Sequence, residues 1–286
     1  MKFAPFACAL LVVGPAQLWL PDQVSTRKSE VRITFSPDGK RMLWGAIGWG
    51  DGPIKGVGGW DIYESERSTS GWSTPRAVSF DSTANDFDPS FAPDGSGVYF
   101  FSNREGGFGK DDIYFAPFDV RNGRYGAARN LGKEINSAGD EWAPVISPDG
   151  QRLMFASDGH GGRGKHDLFF AHRKGKEWDS IENLEALNTP EEDFDATFLH
   201  DGVSVIYTSG NFDNDAVALY VAQFRDGRFQ PRERLPAAVN SQKPGAWTLG
   251  PSISLHEPGV LYFTSEHADG RGRADIYRIE YKWAAD

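Results

Sequence analysis

Four acidic side chains occupy equivalent positions in an internal repeat, and they are the residues of this sequence best suited to chemistry. They are Glu30, Asp86, Glu141 and Asp193, each at the start of a short apolar run. The fifth copy of the repeat has Thr248 at this position. If the copies surround a common axis, the four carboxylates form a ring at the mouth of a central tunnel. Like charges in such a ring raise one another's pKa and attract cations.

Three interpretations of this ring stay open. Each carboxylate could accept hydrogen bonds from a loop of a neighbouring repeat, or the oxygens could hold a cationic ligand or Ca²⁺. The third interpretation is glycoside chemistry, with Glu141 facing Asp86 or Asp193 as acid and base. Because equivalent positions give no reason for unequal pKa values, we assign no catalytic residue, no metal ligand and no cofactor. Ca²⁺ is the ion that these acids would suit.

Glycine-rich loops bring the opposite charge close to the acids. Their cations are Arg104, Lys110, Arg163, Lys165, Arg271 and Arg273. Successive glycines expose backbone N–H groups that can form anion-binding nests, so an acidic glycan or a carboxylate-bearing peptide could bind here. The alternative is that the glycines serve tight turns and the cations are solvated.

Histidines and aromatic residues near the same loops leave further alternatives. A metal could be ligated jointly by His160, His166 and His267, although the sequence gives no pairing. Four aromatic residues lie near the four acids or Thr248, at the starts of the apolar runs. They could stack on sugars or pack between repeats. They are Phe87, Trp142, Phe194 and Trp247.

A repeated turn defines the elements that must position these side chains. The copies read Ser36-Pro37-Asp38-Gly39, Ala92-Pro93-Asp94-Gly95, Ser147-Pro148-Asp149-Gly150, Leu199-His200-Asp201-Gly202 and, less regularly, His256-Glu257-Pro258-Gly259. Asp-Gly between two apolar runs indicates a hairpin, because Gly tolerates the positive φ that such turns need. A period of roughly 50 residues filled with short strands is typical of a β-propeller, in which each repeat is one blade.

The sequence therefore predicts an all-β, five-bladed β-propeller of four-stranded antiparallel blades. The blades cover approximately residues 30–78, 86–131, 141–184, 193–239 and 248–281. An acid begins most of the third strands and is expected to bind backbone donors of the adjacent loop: Asp61, Asp112, Asp167 and Asp275. Too few residues follow the last third strand to build a fourth, so we predict that residues 17–24 supply it and close the ring, which removes an exposed sheet edge.

The first sixteen residues differ in kind from the repeats. Lys2 precedes an apolar stretch that ends at Gly14-Pro15-Ala16, which is typical of a secretory signal peptide. We predict a signal peptide at 1–16, a single propeller domain at 17–286, no transmembrane segment, and a periplasmic or secreted monomer. The only cysteine, Cys8, lies in the leader. The net charge of −10 argues against nucleic acid as a partner.

Several segments resemble a known family. The Ser-Pro-Asp-Gly turns, the segment Phe101 to Tyr114 and Glu141-Trp142-Ala143-Pro144 resemble the WD40-like repeats of the TolB propeller. They are also similar to propellers attached to OmpA-like envelope proteins. The resemblance implies an exported propeller used for contact with other proteins, and it carries over no catalytic residue.

We accordingly predict a non-catalytic propeller that binds an envelope protein or an acidic glycan in the bacterial cell envelope. The predicted ligand-binding residues are the four acids and the six loop cations given above. The alternative is a carbohydrate-active enzyme, a glycoside hydrolase or lyase, that uses the carboxylates at the tunnel mouth.

Overall fold

Short runs of β-branched and aromatic residues, separated by Gly and Pro turns, form strands throughout the computed structural model, which describes residues 10–48, 59–214 and 216–283. The strands assemble into five antiparallel sheets, one for each repeat. The inner strand of each sheet contacts the inner strands of other sheets, so the sheets surround one axis as the blades of a propeller. The predicted fold class is confirmed.

The strands of each blade follow one another from the axis outward. Blade 1 contains Ser29–Phe35, Arg41–Ile47 and Trp60–Ser68, with Gly71–Trp72 and Arg76–Ala77 at its outer edge. Blade 2 contains Asp86–Phe91, Gly97–Ser102 and Asp112–Asp119, with Arg124–Tyr125 and Arg129–Asn130 at its outer edge. Blade 3 contains Glu141–Ile146, Arg152–Ser157, Asp167–Lys174 and Glu177–Asn183.

Blade 4 carries a small addition. It contains Glu192–Phe198, Val205–Asn211, Ala216–Ala222 and Glu233–Arg234, with a ribbon of Phe224–Arg225 and Arg228–Phe229 and a 3₁₀ turn at Phe212–Asn214. Blade 5 contains Thr248–Ile253, Val260–Ser265 and Asp275–Trp283, and its outer strand is Leu10–Leu18. The structure contains no helix that could cross a lipid bilayer among the residues it describes.

Strand order divides the propeller into two faces. The loops that enter the inner strands and the glycine-rich loops emerge on one face, which we call the loop face. The Pro-Asp-Gly turns emerge on the opposite face, the turn face. All five turn glycines have positive φ, between +65° at Gly39 and +91° at Gly259. The hairpin prediction from these turns is therefore confirmed.

The ring closes earlier in the chain than we predicted. Leu10–Leu18 pairs antiparallel with Asp275–Trp283, and Leu10 is buried in the same apolar cluster as Tyr281. Within the predicted closing segment, 17–24, only the first two residues belong to this strand, and the chain then turns at Pro21–Ser25. The predicted signal peptide, 1–16, overlaps the strand from Leu10 onward, and its first nine residues lie outside the described part. Its cleavage stays a prediction.

A chain that starts at Gln17 should be less stable than the full chain. This truncation removes most of the closing strand and leaves Asp275–Trp283 as an exposed sheet edge beside an opened apolar cluster. We expect a lower urea midpoint, measured by tryptophan fluorescence. An unchanged midpoint would show that the strand contributes nothing to closure.

Candidate functional site

The four predicted acids lie inside the walls of the propeller and not at the mouth of its tunnel. Glu30, Asp86, Glu141 and Asp193 are each 0 % exposed. Each accepts hydrogen bonds from the backbone N–H and the hydroxyl of the residue four positions earlier in the chain. These residues belong to the loops that join one blade to the next, so each acid fastens a blade junction.

Glu141 shows the arrangement in full. Its carboxylate accepts the backbone N–H of Ser137 at 2.8 Å, the Ser137 hydroxyl at 2.5 Å and the Ser157 hydroxyl at 2.8 Å. Burial raises the pKa of Glu141, and the hydrogen bonds from the two serines act in the opposite direction. In blade 5 the hydroxyl of Thr248 takes this place and accepts the backbone N–H of Ser241. Ligand binding by the four acids stays a prediction, since their geometry serves the junctions.

The predicted loop cations divide between the wall and the rim of the loop face. Arg104 lies between the rings of Phe100 and Tyr114 and pairs with Asp86, so it belongs to the wall. At the rim, Lys110 pairs with Asp140 and Asp158, Lys165 with Glu192 and Asp213, and Arg271 with Asp22. Arg163 and Arg273 are exposed. The cations therefore form a mixed-charge rim together with acids that we did not predict.

Three of the four acids that begin the third strands bind the glycine-rich loops as expected, while the loop before Asp61 lies outside the described residues and its bonds stay a prediction. Asp112 accepts the backbone N–H groups of Phe108 and Gly109, and Asp167 accepts those of Arg163 and Gly164. Asp275 accepts the same pair of donors from Arg271 and Gly272. These bonds fix the course of each loop and so position the rim.

A second junction contact escaped the sequence analysis. Asn136, Asn188 and Asn240 each accept a backbone N–H of the preceding blade's third strand and donate to the carbonyl of the same residue. Ser25 makes the equivalent pair of bonds to Ile276 in blade 5. The sequence does contain a signal for this contact, because an Asn, Asp or Ser precedes the junction Ser or Thr in every copy of the repeat.

Asp81 occupies this position at the junction between blades 1 and 2. An ionised carboxylate has no proton to donate, and Oδ1 of Asp81 is buried without a hydrogen-bond partner. Burial, together with the charges of Asp86 and Asp61, raises the pKa of Asp81 to about 9. The side chain is therefore neutral at pH 7.

The axis carries the feature that sequence analysis missed most completely. Every inner strand bulges two residues after its junction acid or Thr248, where the pairing with the second strand shifts register. The bulged residues have left-handed backbone conformations, with φ between +45° and +60°: Arg32, Asp88, Ala143, Asp195 and Gly250. Such values are uncommon outside glycine, and their recurrence in all five blades makes them part of the fold.

Arg32 crosses the axis from blade 1. Its guanidinium lies 3.1 Å from Oδ1 of Asp195 in blade 4 and donates to the carbonyls of Pro144 and Ala196. The other oxygen of Asp195 accepts the backbone N–H of Gly250 in blade 5. The arginine and the aspartate are each at most 3 % exposed, so this ion pair fills the tunnel.

Asp88 completes the axial cluster. It is buried, with 6 % of its surface exposed, and its carboxyl group lies against that of Asp195. Burial and then the charge of Asp195 raise the pKa of Asp88 well above its usual range. We therefore assign Asp88 as the neutral acid that donates to an ionised Asp195, which also faces Arg32. Two carboxyls in direct contact leave no space for the water or sugar that lies between glycosidase carboxylates.

The two ends of the tunnel differ in chemistry. Toward the turn face, a cavity of about 160 Å³ is lined mainly by the apolar ends of the inner strands and is bounded by Arg32. Toward the loop face, aromatic side chains from all five blades pack into one cluster with Val31 and Leu249, which directly precede the bulges of blades 1 and 5. We call this group the aromatic cap; its members are Trp60, Phe87, Phe101, Trp142, Phe212 and Trp247.

The aromatic cap is a packed but partly exposed surface. Ring centroids lie 4.8 Å apart for Trp60 and Phe87 and 5.0 Å apart for Phe212 and Trp247. Four members of the cap are only partly buried, while Phe87 and Phe101 are fully buried. The sequence left open whether four aromatic residues pack between blades or stack on sugars: Phe87, Trp142, Phe194 and Trp247. In the structure all four pack against other side chains, and the cap, which contains three of them, keeps part of its surface exposed. Charged residues lie beside it, since Trp142 donates to Asp111 and Phe212 is followed by Asp213, the partner of Lys165.

The three histidines do not share a site. His160 bonds the carbonyl of Ile135, and His267 bonds the carbonyl of Val239 at an equivalent junction of blades 4 and 5. His166 instead bonds Glu192 and stacks on Trp142 with ring centroids 3.8 Å apart. Joint ligation of one metal by all three histidines is therefore wrong.

Comparison with known proteins finds similarity of fold alone. No protein-family model and no curated protein sequence matches this chain. TolB from Acinetobacter baumannii aligns with a TM-score of 0.53 and 15 % identity over 89 % of this chain. The chain covers 56 % of that protein's length.

Two further solved structures align over most of their own length. A putative TolB from Agrobacterium tumefaciens aligns with a TM-score of 0.50 and 17 % identity over 90 % of this chain and 83 % of its own. A thermostable family-43 glycoside hydrolase aligns with a TM-score of 0.55 and 11 % identity over 93 % of both chains. At identities this low the likeness shows the fold alone.

Replacing Asp81 by Asn should stabilise the protein at neutral and alkaline pH. The folded-state pKa of about 9 exceeds the unfolded value, so wild-type stability is complete in acid and falls as the pH rises toward 9. The amide of asparagine supplies the donor at every pH, with no need to bind a proton. The variant should therefore lack this loss, and its free energy of unfolding at pH 8 should exceed that of wild type by about 1–3 kcal/mol. Urea unfolding at pH 5 and pH 8 measures it.

The reciprocal variant is the control. Asn136→Asp places the same acid at the next junction and should introduce a loss of stability with rising pH. Equal pH dependence in wild type, Asp81→Asn and Asn136→Asp would refute the neutral aspartic acid.

At the axis, the two aspartates should respond differently to amidation. Asp88→Asn keeps a donor to Asp195 and suits the left-handed backbone, so we expect stability within about 1 kcal/mol of wild type at pH 7. Asp195→Asn removes the carboxylate that pairs with the buried guanidinium of Arg32 and should cost about 3–5 kcal/mol. Urea unfolding of both variants tests the assignment, and the reverse order of stabilities would contradict it.

Proposed function

We propose that this chain is a non-catalytic propeller of the WD40-like, TolB-type repeat family that binds a protein or glycan partner in the bacterial cell envelope. The observation that carries the proposal is the aromatic cap, a partly exposed aromatic surface from five blades beside the paired charges of the rim. Binding surfaces are typically built this way, with aromatic anchors at the centre and a polar rim.

The placement of the acids supports a role without chemistry. The four repeat acids hold blade junctions, and the two axial aspartates contact each other beside Arg32. Neither set presents two carboxylates across a space that a glycosidic bond could enter. Binding at the aromatic cap needs no cofactor, and we favour it over a glycoside hydrolase or lyase.

Cell location and partner class follow from the sequence. The resemblance of the repeats to envelope propellers and the leader-like composition at the start of the chain favour export to the periplasm or secretion. Because the closing strand begins at Leu10, cleavage after residue 16 would remove most of that strand. The net charge of −10 disfavours nucleic acid and leaves a protein or an acidic glycan that reaches the rim cations. We propose that the protein acts as a monomer, with the loop face free for its partner.

A crosslinking pull-down from bacterial envelope extract, read by mass spectrometry and glycan analysis, tests the proposal. The variants Trp60→Ala and Phe212→Ala remove partly exposed members of the aromatic cap. Leu255→Ala is the matched control, because Leu255 is an apolar side chain 50 % exposed on the turn face. Each cap variant should reduce capture of the bound partner by roughly 30-fold, the effect of a central aromatic anchor.

The control and the folded state decide the interpretation. Circular dichroism must show that all three variants fold, and Leu255→Ala should capture the partner as wild type does. Capture that survives both cap variants, or that is lost equally in Leu255→Ala, would contradict binding at the loop face. Hydrolysis of an acidic polysaccharide by the wild type would favour the enzyme alternative.

A further inference from the structure

Two aspartates and a histidine converge on the loop face where blades 2, 3 and 4 meet. A carboxylate oxygen from each of Asp140 and Asp158 and a ring nitrogen of His166 all lie within 4.8 Å of one another. Asp140 precedes the inner strand of blade 3, Asp158 follows its second strand, and His166 precedes its third strand. One blade therefore brings the three side chains together.

Backbone hydrogen bonds leave one oxygen of each aspartate directed at a common point. Oδ1 of Asp140 accepts the N–H of Asp111, and Oδ1 of Asp158 accepts the N–H of Asp140. The Oδ2 atoms of both aspartates face the ammonium group of Lys110, at 3.1 and 3.5 Å. A cation already lies where the two oxygens converge.

His166 adds an observation that the acids alone do not provide. Its side chain is only 9 % exposed, and Nδ1 bonds Oε2 of Glu192 at 2.7 Å. The other nitrogen, Nε2, is buried and has no hydrogen-bond partner. A carboxylate that holds one imidazole nitrogen while the other is left free for an ion is the usual outer arrangement of a metal-ligating histidine.

Comparison between blades shows that the repeat does not require these charges. In blade 2, Asn85 and Asn103 occupy the places of Asp140 and Asp158, and the N–H of Asn85 bonds Oδ1 of Asn103 in the same way. The backbone bond therefore forms without a carboxylate. The two charges and the unpartnered nitrogen of blade 3 go beyond what the fold needs.

We propose that Asp140, Asp158 and His166 form a binding site for a divalent zinc-like metal ion, with Glu192 as the positioning residue for His166. One imidazole nitrogen and two carboxylate oxygens suit Zn²⁺ better than Ca²⁺ or Mg²⁺, which prefer oxygen ligands alone. Ligand atoms of a tetrahedral zinc site lie roughly 3.4 Å apart, so closure needs movements of about 1 Å.

The fourth position of the proposed site faces solvent. Lys110 is 66 % exposed and Asp158 is 30 % exposed, so the lysine can swing away and open a path for the ion. Releasing an exposed ion pair costs little free energy. Three protein ligands leave the remaining position to water or to another Lewis base at the rim of the loop face. The site stands independently of the proposed partner binding.

Calorimetric titration of the full chain with ZnCl₂ tests the proposal, with CaCl₂ as the comparison ion. We expect one equivalent of bound Zn²⁺ and binding to Ca²⁺ that is weaker by at least about 100-fold. Asp158→Asn and His166→Gln should each weaken Zn²⁺ binding by at least about 100-fold, and Glu192→Gln by about 10–100-fold. Lys110→Gln should tighten it by about tenfold, because the competing ammonium is gone.

The variants are chosen so that loss of binding is not loss of fold. Asp158→Asn copies the working arrangement of Asn103 in blade 2, and Lys110→Gln changes an exposed side chain. His172→Gln is the surface control, since His172 and Glu182 form an exposed pair on the outer part of the same blade. It should bind Zn²⁺ as wild type does.

Two results would overturn the proposal. One is the absence of Zn²⁺ binding in both wild type and Lys110→Gln. The other is binding that persists in Asp158→Asn and His166→Gln, or that disappears in His172→Gln, which would place the ion elsewhere on the surface.

Discussion

The hydrogen bonds from each connecting loop to a buried acid hold this propeller together. A blade cannot bury its faces alone, so the joints between blades decide whether the ring forms. At four joints a carboxylate accepts the backbone N–H and the hydroxyl of a loop residue, and at the fifth the hydroxyl of Thr248 accepts the backbone N–H alone. Because these acids bond to the joints, residues at which the blades differ are the better candidates for function, and ligand binding by the acids stays a prediction.

The axis shows how such differences produce a structure that no single blade contains. Every inner strand bulges at the same place, but the five bulges carry different side chains. Arg32 and Asp195 come from blades that are not neighbours in the ring, and they meet across the tunnel. A Cβ atom at Gly250 would lie 3.2–3.4 Å from atoms of Arg32, so glycine there leaves space for the arginine. The ion pair therefore belongs to the closed ring as a whole, and it blocks the tunnel.

How much of the structure the sequence predicts depends on how close in the chain the interacting residues lie. The hairpin turns and the binding of Asp112, Asp167 and Asp275 to their loops involve residues close in the chain, and both were predictable. The closing strand was misplaced because Leu10 and its apolar neighbours have the composition of a leader and of a buried strand alike. The axial cluster was missed because its partners come from blades distant in sequence.

In a fold built from repeats, residues that differ from their equivalents in the other blades are the useful guide to function. The joint accounts fully for three asparagines that share one role: Asn136, Asn188 and Asn240. Asp81 occupies the same position but carries a proton, which the asparagines do not need. The same comparison separates the Asn pair of blade 2 from the charged pair of blade 3 beside His166. Where the fold accepts a neutral amide, a buried or converging acid needs a reason of its own, and for Asp140 and Asp158 on the loop face we propose that the reason is metal binding.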